Sequence, residues 1–278
     1  MPMKGRGFWA ASSFLNARTR LILSKRTKVA ICATITALVA WIGLALTGIS
    51  FAIFFVVATF AVIILILWSL AEDLGGIKFF TILALPVFYF GSYIALTKVL
   101  VLSPVGIFAA GFALGTSFYF LLLTQNIYNI AAFRSIGLVR AAAVSGTLFT
   151  TVSAFLAYGA VWVKGPPFWI LAPAVFLISF ILTLLAIWST HLEEKFNLSD
   201  VKVALLLSLI LAQIGLALSF WPILPLIGAL VLAISLYVVL GLTQFELQQR
   251  LNRRVVTEYL LIAAVVLVLI LVTTRWGG

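Results

Sequence analysis

A chain of 278 residues that is 64% hydrophobic and only 9% charged cannot fold as a water-soluble globule, in which about a quarter of the residues carry charge. The formal net charge of +11 lies between apolar stretches, not along a polar face, which points to membrane orientation and anionic headgroups and away from nucleic acid. One cysteine, Cys32, and one histidine, His191, exclude an internal disulfide, a two-thiolate metal site and a two-histidine metal site.

In chain order, residues 1–28 form a basic segment on the cytoplasmic side, and residues 29–278 form a single transmembrane domain. Phe8, Ala11, Leu15 and Ile22 fall near one helical face with Arg18 and Arg20 turned away, as in a helix lying on the inner leaflet; a disordered segment is the competing reading. The apolar run that follows is too long for a signal-peptide core, and no A-x-A cleavage site accompanies it. About 20 apolar residues are needed to cross roughly 30 Å of hydrocarbon. Nine stretches qualify: 29–47, 50–70, 79–100, 105–124, 141–163, 167–189, 201–219, 223–242 and 258–274. None alternates apolar and polar residues as barrel strands do, so the expected fold is an all-α polytopic helix bundle.

Charge sets the orientation. Of the 18 Lys and Arg, only Lys98, Lys164 and Arg275 fall on the outer side when the N-terminus is placed inside. The acids Glu72, Asp73, Glu193, Glu194, Asp200, Glu246 and Glu258 all fall inside. Trp68 and Trp188 then mark inner span ends, and Trp162, Trp169, Trp221 and Trp276 mark outer ones, the depths that indoles favour. The expectation is a multi-pass protein of the bacterial inner membrane, with the N-terminus in the cytoplasm and the C-terminus outside.

Matched segments suggest duplication. Trp68-Ser69 with Glu72-Asp73 and Ile77-Lys78 parallels Trp188-Ser189 with Glu193-Glu194 and Val201-Lys202. Ser117-x-Tyr119 with Leu123-Thr124-Gln125 parallels Ser235-x-Tyr237 with Leu242-Thr243-Gln244. The reading is a four-helix unit at about 29–125 repeated at about 140–244, with a ninth helix at about 258–274. Two copies of like orientation place a pseudo-twofold axis along the membrane normal. Each matched Gln is read as opening a basic connection beyond its span.

No Asp, Glu, Lys, Arg or His falls near the middle of any span, which weighs against an ion-coupled carrier. Milder polarity remains in Gln213 on the seventh span and in Thr147, Thr150 and Thr151 on the fifth, a candidate polar path. The competing reading has the hydroxyls bonding back to their own helices. Pro86 interrupts the third span, and Gly111-x-x-x-Gly115 permits close helix approach within the bundle. At the cytoplasmic face, Glu72, Asp73, His191, Glu193, Glu194 and Asp200 form a candidate acidic cluster able to hold a cation and a lipid phosphate. The alternative reading of Asp73 and Asp200 is local, at helix starts where acids are favoured. Asn126, Asn129, Arg134 and Arg140 are candidates for headgroup or protein-partner contact. No nucleotide, nucleophile or metal motif is present, so no cofactor is implied.

Glu72-Asp73-Leu74 with Gly76-Ile77 and Thr81-x-x-x-Leu85-Pro86 carries one resemblance. Asn126-Ile127-Tyr128-Asn129-Ile130-Ala131-Ala132 before Arg134 carries another, and the ending Thr273-Thr274-Arg275-Trp276-Gly277-Gly278 a third. Together they resemble an uncharacterised family of multi-span membrane proteins of candidate-phylum bacteria, which implies an integral membrane protein and no known activity. Three functional classes stay open: a non-enzymatic scaffold or assembly protein, which the missing ionisable core favours; a transporter or lipid translocator with a site between the repeats; and a membrane-embedded enzyme acting on lipid.

Overall fold

The computed structural model describes residues 24–70, 77–131, 139–191 and 197–274. All regular structure among them is helical, in nine helices: α1 Lys25–Ala45, α2 Gly48–Leu70, α3 Ile77–Val99, α4 Pro104–Ala131, α5 Val139–Trp162, α6 Phe168–His191, α7 Leu198–Ser219, α8 Pro225–Leu247 and α9 Arg253–Thr273. Each is long and apolar enough to cross a bilayer. Their outward faces require one. Ile49, Ile53, Phe60 and Ile64 of α2 are more than half exposed, as are Leu260, Leu261, Val265 and Val268 of α9. An apolar surface that extensive is tolerated in hydrocarbon and not in water.

Helix boundaries follow from local chemistry. Ser24 caps α1, its Oγ accepting from the Thr27 amide at 3.2 Å. Asn252 caps α9, its Oδ1 accepting from the Val255 amide at 2.9 Å. Asn197 caps α7, its Oδ1 accepting from the Ser199 amide at 3.3 Å, which leaves Asp200 buried in the first turn, where the helix dipole favours an acid. The connection between α1 and α2 is only Leu46-Thr47, followed by Gly48 at φ +60°, a conformation that costs glycine little. Gly165, at φ +62°, serves the turn between α5 and α6 in the same way. Pro86 and Pro173 sit inside α3 and α6, and both helices run through them.

Three boundaries differ most from expectation. α8 continues to Leu247, so Gln244 lies within the helix. α4 continues to Ala131, so Gln125, Asn126 and Asn129 lie on its last turns and do not open a loop. α9 begins at Arg253, so Arg254 and Glu258 share a helical face, their side chains 3.1 Å apart.

Helix α5 is the hub and packs on α3, α4, α6 and α8. In each half the first helix packs on the second and the fourth: α1 on α2 and α4, α5 on α6 and α8. Between halves the packing is one-sided. α3 and α4 both lie against α5, yet among the described residues α7 and α8 make no comparable contact with α1. A twofold axis relating the two groups of four helices would call for the reciprocal pair, which is not seen among the described residues. α9 packs on α8 and is otherwise peripheral, with Val266 its only buried residue.

Candidate functional site

The best candidate is a buried polar seam where the two halves meet. It lies between α3, α4, α5 and α6, toward the end of the bundle at which α1 begins. Thr81, Gln125, Tyr128, Thr150 and Ser189 supply its polar groups, and Leu85, Leu185 and Trp188 its apolar walls. The cavity they enclose measures about 10 Å³, which is sized for about one water molecule.

Small residues create the seam. Gly146 on α5 lets the Tyr128 ring cross directly over the helix, where even a Cβ would collide with the phenol oxygen. From there the Tyr128 hydroxyl donates to the Ala142 carbonyl at 2.8 Å. One turn along α5, the Thr147 hydroxyl faces Gln244 Oε1 at 3.1 Å, and Gln244 Nε2 donates to the Ala186 carbonyl on α6 at 3.2 Å. Ser189 donates to the same Ala186 carbonyl at 2.7 Å. Gln125 lines the cavity, is only 3% exposed and makes no hydrogen bond to the described residues. Its amide reaches the cavity, where there is room for about one water to serve it.

Of the expected polar path, Thr150 joins the seam and Thr147 lies beside it through Gln244. The hydroxyls of α5 also bond back to their own helix. Thr147 donates to Ala143 at 3.0 Å, Thr150 to Gly146 at 2.9 Å, Thr151 to Thr147 at 2.9 Å and Ser153 to Phe149 at 2.7 Å. Gln213 is not part of this arrangement. It sits on an exposed face of α7 and lines none of the cavities described.

The other expected groups divide. Asn129 is buried and its Nδ2 donates to the Leu70 carbonyl at 3.3 Å, tying α4 to α2, whereas Asn126 is half-buried. Arg140 and His191 lie at the first turn of α5 and the end of α6, with side chains outside the description. Glu72, Asp73, Arg134, Glu193 and Glu194 lie outside the described residues, so of the acidic cluster only Asp200 is seen in place. Lys98 was expected only as an outer-side charge. Instead it reaches inward, donating to the Leu44 carbonyl at 3.0 Å and to the Leu46 carbonyl, with its ammonium 5.0 Å from the Phe51 ring centre.

Residues 41–273, from the last turns of α1 to the end of α9, match a family described as a protein of unknown function, DUF5656. The chain belongs to that family. The DUF5656 match thus covers both halves, the seam between them and the ninth helix. No curated protein and no solved structure matches the chain.

Proposed function

We propose that this DUF5656 chain is a non-enzymatic integral membrane scaffold or assembly protein. The setting this assigns is the inner membrane of a candidate-phylum bacterium, with the N-terminus in the cytoplasm and the C-terminus outside. The observation that carries the reading is the packing where α3 and α4 meet α5 and α6. The buried cavity there is sized for about one water, the wider concavity of about 600 Å³ between α4 and α5 is walled mainly by Phe112, Phe120, Leu148 and Phe149, and the α5 hydroxyls bond back to their own backbone. Basic side chains at the end where α1 begins, among them Arg26, Lys202, Arg250 and Arg253, suit anionic headgroups and an acidic protein partner.

Duplication of a four-helix unit belongs to the same proposal. It is supported by the shared packing of the first helix on the second and fourth in each half. It is also supported by Gln125 and Gln244, which approach the same turn of α6 from matching positions of α4 and α8.

One observation favours transport as a second reading. Gln125 is a buried amide that finds no hydrogen bond here, as a group would that gains its partner in another arrangement of the halves. Cysteine scanning separates the two. In a Cys32→Ser background, Thr147→Cys, Thr150→Cys and Thr151→Cys are exposed in membranes to a water-borne maleimide. A scaffold leaves all three unlabelled from both sides. Labelling of Thr150→Cys from either side overturns the scaffold reading and supports translocation.

A further inference from the structure

Away from the seam, the largest concavities flank α4. Along its boundary with α1 runs a groove in two continuous parts, of about 510 Å³ and 160 Å³, which share Thr34, Ala37 and Phe112. Its floor is made of small residues. Gly115 lets α4 come so close to α1 that an added Cβ would stand 2.9 Å from that of Ala37. The hydroxyls of Thr34 and Thr116 are already engaged, donating to the carbonyls of Ala30 and Phe112, each at 2.9 Å. Phe112, Tyr119 and Phe120 wall one side. The Trp41 and Phe108 rings, edge to face at 5.5 Å between centres, close the far end.

The near end is charged. On α1 the residues Arg26, Ala30, Ala33, Thr34, Ala37 and Trp41 recur at helical spacing, so one stripe runs from an exposed guanidinium down the groove to the indole. From Ala30 to Trp41 the stripe covers about 16 Å at 1.5 Å per residue, roughly half the hydrocarbon thickness. That is the reach of one leaflet. A helix of that length and about 10 Å diameter fills about 1,200 Å³, more than the groove could enclose.

We infer that this groove is a binding site for an anionic phospholipid, with one acyl chain lying between α1 and α4 and the phosphate on Arg26. The planar guanidinium suits a phosphate through paired N–H donors, and the methyl-lined floor suits a hydrocarbon chain. The site depends on the chain spanning a bilayer and is independent of whether the protein is a scaffold or a transporter.

Trp41 reports on the site directly. The full chain and its Trp41→Phe variant are reconstituted in phosphatidylcholine vesicles, and the Trp41 emission is taken as their difference. Phosphatidylglycerol brominated near the chain end should quench that emission about fivefold more strongly per mole than equally brominated phosphatidylcholine, as befits about 1 kcal/mol from one arginine. Arg26→Gln, at an exposed position that leaves the fold intact, should bring the two lipids level. Thr34→Phe fills the groove and should abolish the excess quenching while the basic face stays unchanged. Equal quenching by both lipids in the native chain overturns the site. So does excess quenching that survives Thr34→Phe, since it would come from the basic surface alone.

Discussion

Gln244 Oε1 lies 3.1 Å from the Thr147 hydroxyl while its amide nitrogen donates to the Ala186 carbonyl at 3.2 Å, so one side chain of α8 ties α5 to α6. Gln125 on α4 lines the cavity beside the same Ala186 turn, with no hydrogen bond to the described residues. The two glutamines should therefore respond in opposite ways to the same substitution. Interhelical hydrogen bonds in membranes contribute about 0.6–2 kcal/mol. Gln244→Leu should destabilise by about 1 kcal/mol. Gln125→Leu should be neutral or stabilising, because it removes an amide that gains nothing where it is. Reversible unfolding in bicelles measures both. A loss of similar size at Gln125 would show that its amide has a partner and would sink the contrast.

The ninth helix makes its closest approach to the bundle near its start, while Trp221 Nε1 donates to Thr274 Oγ1 at 2.7 Å at its far end. Gly241 lies directly under Tyr259, where an added Cβ would overlap the phenol oxygen, and the Tyr259 ring packs against Tyr237 and Phe245 at 5.5 and 6.2 Å between centres. Little else of α9 is buried. Gly241→Ala should push Tyr259 outward and loosen α9 while the other eight helices stay packed. Hydrogen–deuterium exchange of the α9 amides would report the loosening as faster exchange. Unchanged exchange in Gly241→Ala would show that α9 is held elsewhere.

The fold was legible because apolar length and charge placement dominate a membrane chain: nine runs of the right length became nine helices, each within a few residues of its expected span. The site was much less legible. Gln125 and Gln244 stood out as a matched pair, but both were assigned to connections, because hydropathy falls where these helices continue beyond their most apolar stretch. Only tertiary contact shows that the last turns of α4 and α8 remain inside the bundle. The facing of Gln213 was hidden for another reason. A residue deep in a run that is apolar all round has no sequence signal for which way it faces, and this one faces out. The one-sided packing of the halves was equally hidden, since matched segments carry like orientation but not the operator that relates them.

Lys98 offers a test of how the α1–α2 turn is held. Its ammonium occupies the carbonyl end of α1, where the helix dipole is negative, and it faces the Phe51 ring as well. Lys98→Met keeps the aliphatic stem and removes every one of these interactions. The expected loss is about 1–2 kcal/mol, read by the same unfolding assay. The paired substitution Lys98→Met with Phe51→Leu should cost less than the sum of the two singles, because the ammonium and the ring act on each other. Strict additivity would remove the ring from the account and leave the carbonyls alone.

Gln213 decides between two pictures of the seventh helix. It lies on an exposed face of α7, flanked by exposed Leu209, Ile210 and Leu216, and away from the seam. An amide in that position meets lipid and gains no protein partner, so replacing it with leucine removes a polar group from hydrocarbon and disturbs no contact. Gln213→Leu should unfold at least as high in denaturant as the native chain, with any change within about 0.5 kcal/mol, as for surface substitutions generally. If two copies associate through this face, the variant would instead lower the dimer fraction in native mass spectra while leaving the monomer intact. A loss of monomer stability above about 1 kcal/mol would mean the amide is bonded within the bundle. It would also restore Gln213 as a candidate for the polar path.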